Sequence, residues 1–162
     1  MAELSGIMLR RADITDLPAI AVLFRRTRET SLAFLPQLHT REEDIEFFRS
    51  KIFAEYELTA AEIDGRLAGY SAVAPGWLEQ LYVLPQLQGR GIGGQLLLRA
   101  MESQTDFQFF VFQKNHKARR FYERHGARLV RLTDGAENEE REPDALYEWR
   151  AADAQTDSVQ PI

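Results

Sequence analysis

The chain has 162 residues, 44% of them hydrophobic and 10% aromatic, enough for one domain with a buried core and too apolar for a disordered polymer. Twenty Lys and Arg against twenty-five Asp and Glu leave a net charge of -5, which argues against bulk electrostatic capture of nucleic acid or an anionic membrane. There is no cysteine, so disulfides, zinc ribbons and thiol nucleophiles are excluded.

His39, His116 and His125 lie far apart with no HExxH spacing, so no metal site is expected. The apolar runs fall short of the roughly 20 residues that cross a bilayer. The opening MAELSGIMLRRADITD reaches charged residues too early for a signal peptide. A soluble, cytoplasmic protein is expected.

In chain order, residues 7–12 read as a first strand. Leu17, Ile20, Ala21 and Phe24 then recur at helical spacing, with Thr15 as N-cap and Pro18 in the first turn. Thr40 to Glu43 is a capping box for a second helix that buries Ile45, Phe47, Phe48 and Ile52. Asp64-Gly65 predicts a hairpin between 56–63 and 66–74. Residues 77–83 form a further strand that Pro85 ends, and a glycine-rich turn leads into a helix with Leu96, Leu97, Leu98 and Met101.

Residues 107–113 have the bulk of a buried strand. Asn115 caps a helix whose Ala118, Phe121, Tyr122 and His125 face inward, with Gly126 as C-cap. Strands at 127–132 and 145–150 close the pattern around an acidic loop, and 151–162 read as a flexible polar tail. The order β-α-α-β-β-β-α-β-α-β-β predicts a single α/β domain over 1–150, with a mixed central sheet flanked by helices.

The most informative stretch is residues 81–97. Gly89, Gly91, Gly93 and Gly94 sit between a strand and a helix start. Such a turn binds anions, because successive amides and the helix dipole favour negative charge and no Cβ keeps the ligand away. Gly89-x-Gly91-x-x-Gly94 satisfies GxGxxG, yet five residues separate it from Val83 and the next strand ends at Gln113-Lys114. A dinucleotide fold wants glycines directly after its strand and an acid at the end of the next, so a nicotinamide oxidoreductase is disfavoured. No GxxxxGK[ST] is present for a P-loop.

Gln88-Gly89-Arg90-Gly91-Ile92-Gly93 resembles the Q/R-x-x-G-x-G/A motif of the GNAT superfamily of acyl-CoA-dependent N-acyltransferases. Leu81-Tyr82-Val83 and Pro85 resemble the strand and exit before it, and Asn115-x-x-Ala118-x-x-Phe121-Tyr122-x-x-x-Gly126 the element after it. The resemblance spans 7–150. It implies that acetyl-CoA is the donor, that the backbone of Leu81, Tyr82 and Val83 pairs with the pantetheine arm, and that the amides of Gln88 to Gly94 (Gln88, Gly89, Arg90, Gly91, Ile92, Gly93, Gly94) hold the diphosphate. It also implies that Asn115 reaches the pantetheine, that Tyr122 lies near the sulfur, that no metal is needed and that two copies pair as a homodimer.

Transfer to an amine needs a base, because an alkylamine with a pKa near 10.4 is mostly protonated at neutral pH. Glu79 is the candidate: alternation puts it on the face of Trp77, Leu81 and Val83, two residues before the acyl-binding segment. An ordinary polar or ion-paired strand residue is the competing reading. Tyr122 is the candidate acid for the departing thiolate, against a role as a core aromatic. The basic run Lys114, Lys117, Arg119 and Arg120 reads as a solvated helix face or a contact to CoA phosphates.

The function expected is acetyl transfer from acetyl-CoA to a primary amine of a small molecule or peptide. The alternative is a non-catalytic acyl-CoA-binding sensor or partner module. Neither nucleic acid nor a membrane is an expected partner.

Overall fold

The computed structural model describes residues 6–153. Most of the expected tail therefore lies outside the described residues. Seven strands form one sheet in the order β1-β2-β3-β4-β5-β7-β6. By compactness the chain divides into two units. The first holds the described residues up to Ala74 together with Leu78–Ala100; the second holds Pro75–Trp77 and the described residues from Met101 onward.

In the first unit, β1 (Ile7–Arg11) runs antiparallel to β2 (Glu57–Ile63), with Ile7 opposite Ile63 and Arg11 opposite Thr59. β2 turns into β3 (Arg66–Ala74) through Asp64 and Gly65, whose φ values of 52° and 75° are those of a two-residue hairpin turn. α1 (Leu17–Ser31) is entered differently from the sequence expectation. The side-chain cap belongs to a 3-10 turn at Ile14–Asp16 that leads into α1, and it is Asp13, not Thr15. Its carboxylate accepts from the Thr15 amide at 2.8 Å, and the Asp16 carboxylate accepts from the Asp13 amide at 2.9 Å. Asp16 stands at the N-cap of α1 without a side-chain capping bond.

α2 (Arg41–Phe47) starts at the expected Thr40–Glu43 box, with both reciprocal bonds at 3.1 Å. It then loosens into a π turn at Phe48–Ile52 before α3 (Phe53–Glu55). Ser50 Oγ donates to the Glu46 carbonyl at 2.8 Å, a back-bond that competes with the helix ladder at that point. Phe48 and Ile52 are fully buried, whereas Ile45 and Phe47 are only partly covered. Arg25 on α1 clamps α2, donating to Asp44 at 2.8 Å and to the His39 carbonyl at 2.9 Å.

Two apolar clusters hold this unit. Leu17, Ile20 and Leu23 of α1 join Phe48, Ile52, Leu58, Ala60, Tyr70 and Ala72 in one. Ala61, Ala68 and Val83 join Ile92 and Leu96 of α4 (Ile92–Glu102) in the other. Consecutive residues of β2, Ala60 and Ala61, thus feed different clusters, as strand alternation requires. Of the leucine run on α4, Leu96 and Leu97 are buried, whereas Leu98 is 51% exposed. Three consecutive leucines cannot all lie on one helical face.

β4 (Trp77–Val83) begins in the second unit, where Trp77 pairs in parallel with Gln108 of β5 (Asp106–Phe112) and makes the sheet mixed. β5 lies antiparallel to β7 (Asp144–Arg150), and β7 to β6 (Arg128–Leu132). Phe107, Phe109 and Val111 are buried, but Phe110 is 45% exposed and packs edge-on to Trp77 at 5.7 Å. The strand therefore alternates instead of being buried throughout.

Of the four residues expected inward on α5 (His116–Arg124 with its C-cap His125), only Tyr122 is buried. Gly126, at φ 92°, ends the helix as expected. His125 serves the helix end, its Nδ1 donating to the Phe121 carbonyl at 2.8 Å. The acidic loop is tightly built: Asn138 Nδ2 donates to the Glu142 carbonyl at 2.7 Å, and Lys114 pairs with Glu142 at 3.1 Å.

Candidate functional site

The glycine turn lies wholly in the first unit. After β4, Pro85–Leu87 form a 3-10 turn, and Gly89 and Gly91 take φ values of 80° and 89°. These left-handed conformations favour glycine, which is why the pattern alternates there. Gln95 is the first amide to find a helix carbonyl, donating to Gly91 at 3.1 Å. The amides of Ile92, Gly93 and Gly94 precede it and have no carbonyl within the helix to pair with. With the positive end of the α4 dipole behind them, they make a site suited to a diphosphate.

The space beside Gly89 is open, since a Cβ built there would meet no atom within 4 Å. Donor set and room both fit an anionic group held by main chain. Ile92 itself is buried, so its side chain belongs to the core and only its amide is available. Arg90 is exposed on the turn.

Gln88 does more than its backbone role required. Its Nε2 donates to the Val83 carbonyl at 3.1 Å and to Ser31 Oγ at 3.4 Å, tying the turn to the end of β4 and to α1. The Val83 carbonyl expected to pair with pantetheine thus already accepts one bond. Tyr82 packs its ring among Phe24 at 5.7 Å and Tyr70 at 5.9 Å, and Leu81 packs on the α4 cluster.

Glu79 is half-buried and accepts from Tyr56 Oη at 3.3 Å. Its position departs from the expectation of strict alternation. Tyr56 packs on the α1 cluster, whereas Leu81 and Val83 pack on the α4 cluster. The buried positions of β4 are Leu78, Gln80 and then Val83, so the alternation shifts by one residue within the strand. Burial, with the charge and hydrogen bond of Glu79, pushes the Tyr56 phenol up to about 12. Tyr56 also walls a groove of about 400 Å³ with Arg11, Asp13, Arg49 and Phe53.

In the second unit, Asn115 is the N-cap of α5, its Oδ1 accepting from the Ala118 amide at 3.2 Å. The amide group of its side chain is what it has left to offer a ligand. Tyr122 lies against Phe109 and Phe121, with ring centroids 4.3 and 5.1 Å away. Part of the basic run is internally engaged: Lys114 pairs with Glu142, and Arg119 Nε donates at 3.0 Å to Tyr147 Oη, which donates to Glu123 at 2.6 Å.

Among the described residues no group of three or more His, Asp or Glu could hold a metal ion. No helix among them is long and apolar enough to cross a membrane. Sequence reasoning missed Tyr56, which lies 23 residues from Glu79 with no motif around it, and the side-chain role of Gln88.

Comparison with known proteins gives a consistent result. Residues 54–126 match the acetyltransferase (GNAT) domain. An uncharacterized N-acetyltransferase of Archaeoglobus fulgidus is 28% identical over 132 residues, covering 70% of this chain and 88% of the relative. An uncharacterized N-acetyltransferase of Mycobacterium tuberculosis is 32% identical over 108 residues, covering 54% of this chain and 69% of the relative. The fold is similar to that of PaiA N-acetyltransferase from Thermoplasma acidophilum, solved in complex with coenzyme A. That match has a TM-score of 0.70 and 21% identity over 90% of this chain and 99% of the other.

Proposed function

The chain belongs to the GNAT acetyltransferase family, and from that premise we propose that it moves an acetyl group from acetyl-CoA to a primary amine of a small molecule or peptide. Membership makes it an acyl-CoA-dependent N-acyltransferase; the acceptor and the residue roles are our reading. The observation that carries it is the turn from Gln88 to Gly94, with its left-handed glycines, open approach and helix-start amides.

Acetyl-CoA supplies an activated thioester, and the chain supplies binding and proton movement. The amides of Gln88 through Gly94 face the diphosphate, with Arg90 adding charge, and the main chain of Leu81, Tyr82 and Val83 lines the pantetheine. Glu79 takes the proton from the attacking amine, whose nitrogen is otherwise held as ammonium. In the second unit Asn115 contacts the pantetheine and the Tyr122 phenol donates its proton to the departing sulfur. Residence in the cytoplasm belongs to the same reading, as does pairing of two copies, which sedimentation would detect.

Calorimetric titration with acetyl-CoA, with NADH and ATP in parallel, is the first test. Selective binding of acetyl-CoA that Gly91→Glu abolishes while the protein stays folded supports the assignment; unchanged affinity in that variant overturns the diphosphate site. Thiol release across an amine panel then separates enzyme from sensor. Tight binding without turnover favours a non-catalytic module. Tyr122→Phe is expected to lower turnover more than donor affinity, and an undiminished rate removes Tyr122 as the acid.

A further inference from the structure

We propose that Tyr56 is the positioning residue for Glu79, holding its carboxylate for proton abstraction from the acceptor amine. The inference rests on the reading of Glu79 as base. Tyr56 comes from outside every motif of the chain: it follows α3 and precedes β2, and its own amide is fixed to the Ile52 carbonyl at 3.0 Å. Its ring packs on the cluster built from α1, the π turn and the sheet. From there Oη donates at 3.3 Å to Glu79 Oε2, although β3 stands between β2 and β4 in the sheet.

A glutamate has three rotatable side-chain bonds, and a base must meet its proton within hydrogen-bond reach. A rigid aromatic ring ending in a hydroxyl is a low-entropy device for fixing one carboxylate oxygen. The phenol, with its pKa pushed up to about 12, remains a donor across the working pH range. Other charged side chains near Tyr56 are Glu55, which also raises the phenol, and Arg11, Asp13, Arg49 and Glu57 around the groove.

Removing the hydroxyl alone leaves the ring and the groove wall in place. Tyr56→Phe is therefore expected to lower kcat about three- to tenfold, the effect of a long hydrogen bond to a charged group, with KM for acceptor and donor within about twofold of native. The assay is thiol release from acetyl-CoA, with tyramine and glycylglycine as acceptor probes and water alone as the floor, in native protein, Tyr56→Phe, Glu79→Gln and the double variant.

Positioning through Glu79 requires that Tyr56→Phe cost less than about twofold once Glu79 is Gln. If Glu79→Gln lowers kcat but Tyr56→Phe costs the same factor in both backgrounds, the positioning role is overturned and the base survives. If Glu79→Gln leaves kcat unchanged, the base reading falls and the positioning role with it. Should Tyr56→Phe fail to fold, Tyr56→Trp keeps an aromatic ring in the groove wall and removes the phenol, and it is compared alone and together with Glu79→Gln. A fall in kcat that disappears once Glu79 is Gln supports the proposal, and the same factor in both backgrounds, or native kcat, overturns it.

Discussion

Gly69 and Gly89 are both in or beside the segment assigned to acetyl-CoA, yet each excludes a side chain for a different reason. A Cβ on Gly69 would lie 2.8 Å from the Tyr82 carbonyl and 3.3 Å from Val83 Cγ2, so it would push β3 off β4. Gly69→Ala is expected to cost about 1–3 kcal/mol, the usual range for overpacking, and to lower the midpoint of a circular-dichroism melt. A Cβ on Gly89 meets nothing within 4 Å, so substitution there carries only the strain of φ 80°. That strain is about 1–2 kcal/mol, and the methyl would occupy space assigned to the diphosphate. Gly89→Ala should therefore weaken acetyl-CoA binding in calorimetry far more than Gly69→Ala does per degree of lost stability. Equal ratios in the two variants would mean that the turn is structural. Only the second glycine was legible in the sequence. Its neighbours form a motif, whereas the need at position 69 arises from a strand that follows a turn, and nothing local records it. Tyr56 escaped for the same reason, being tied to Glu79 across the sheet.

Among the elements, those set by short-range chemistry were readable. The Asp64-Gly65 hairpin, the Thr40–Glu43 box, the Asn115 cap and the Gly126 helix end all stand where the residues placed them. Elements whose detail depends on tertiary contact were less so: the π turn after Phe47, the outward Leu98 and Phe110, and the shift of alternation in β4. The entry to α1 is an instructive case, because both Asp13 and Thr15 are good caps and position within the turn decides between them. Asp16, which closes the box, is also held by Arg10, whose guanidinium spans Asp16 at 2.7 Å and Glu62 at 2.7 Å and so ties the α1 entry to β1 and β2. That contact lowers the Asp16 pKa below its ordinary value of 3.8. A carboxylate depressed in the folded state contributes stability that is complete above its unfolded pKa and is lost as pH falls through the folded one. Melting temperature is therefore expected to decline below about pH 4, and Asp16→Asn to flatten that decline while lowering the neutral-pH value. An acid limb unchanged by Asp16→Asn would show that other carboxylates govern it.

For the whole molecule, a net charge of -5 means that a ligand carrying a diphosphate is not drawn in by the overall field. Attraction has to come from fixed donors at the turn: amides ordered by left-handed glycines and by the start of α4, with Arg90 beside them. Oriented amides act at contact distance, where salt screens little, while interactions over more than about 10 Å are screened at 0.1 M. Affinity for acetyl-CoA should then change little between low and moderate salt, unlike capture by a basic patch. Binding to the folded state alone also raises stability by mass action, by about 2.7 kcal/mol at a hundred times Kd. For a chain of this size that corresponds to a rise in melting temperature of about 5–10 °C. The rise should saturate with acetyl-CoA, be absent with NADH, survive added salt, and vanish in Gly91→Glu. A shift that collapses with salt and persists in Gly91→Glu would place the anion on a surface cation cluster instead of the glycine turn. It would thereby detach the family's acyl donor from the segment that carries its motif in this chain.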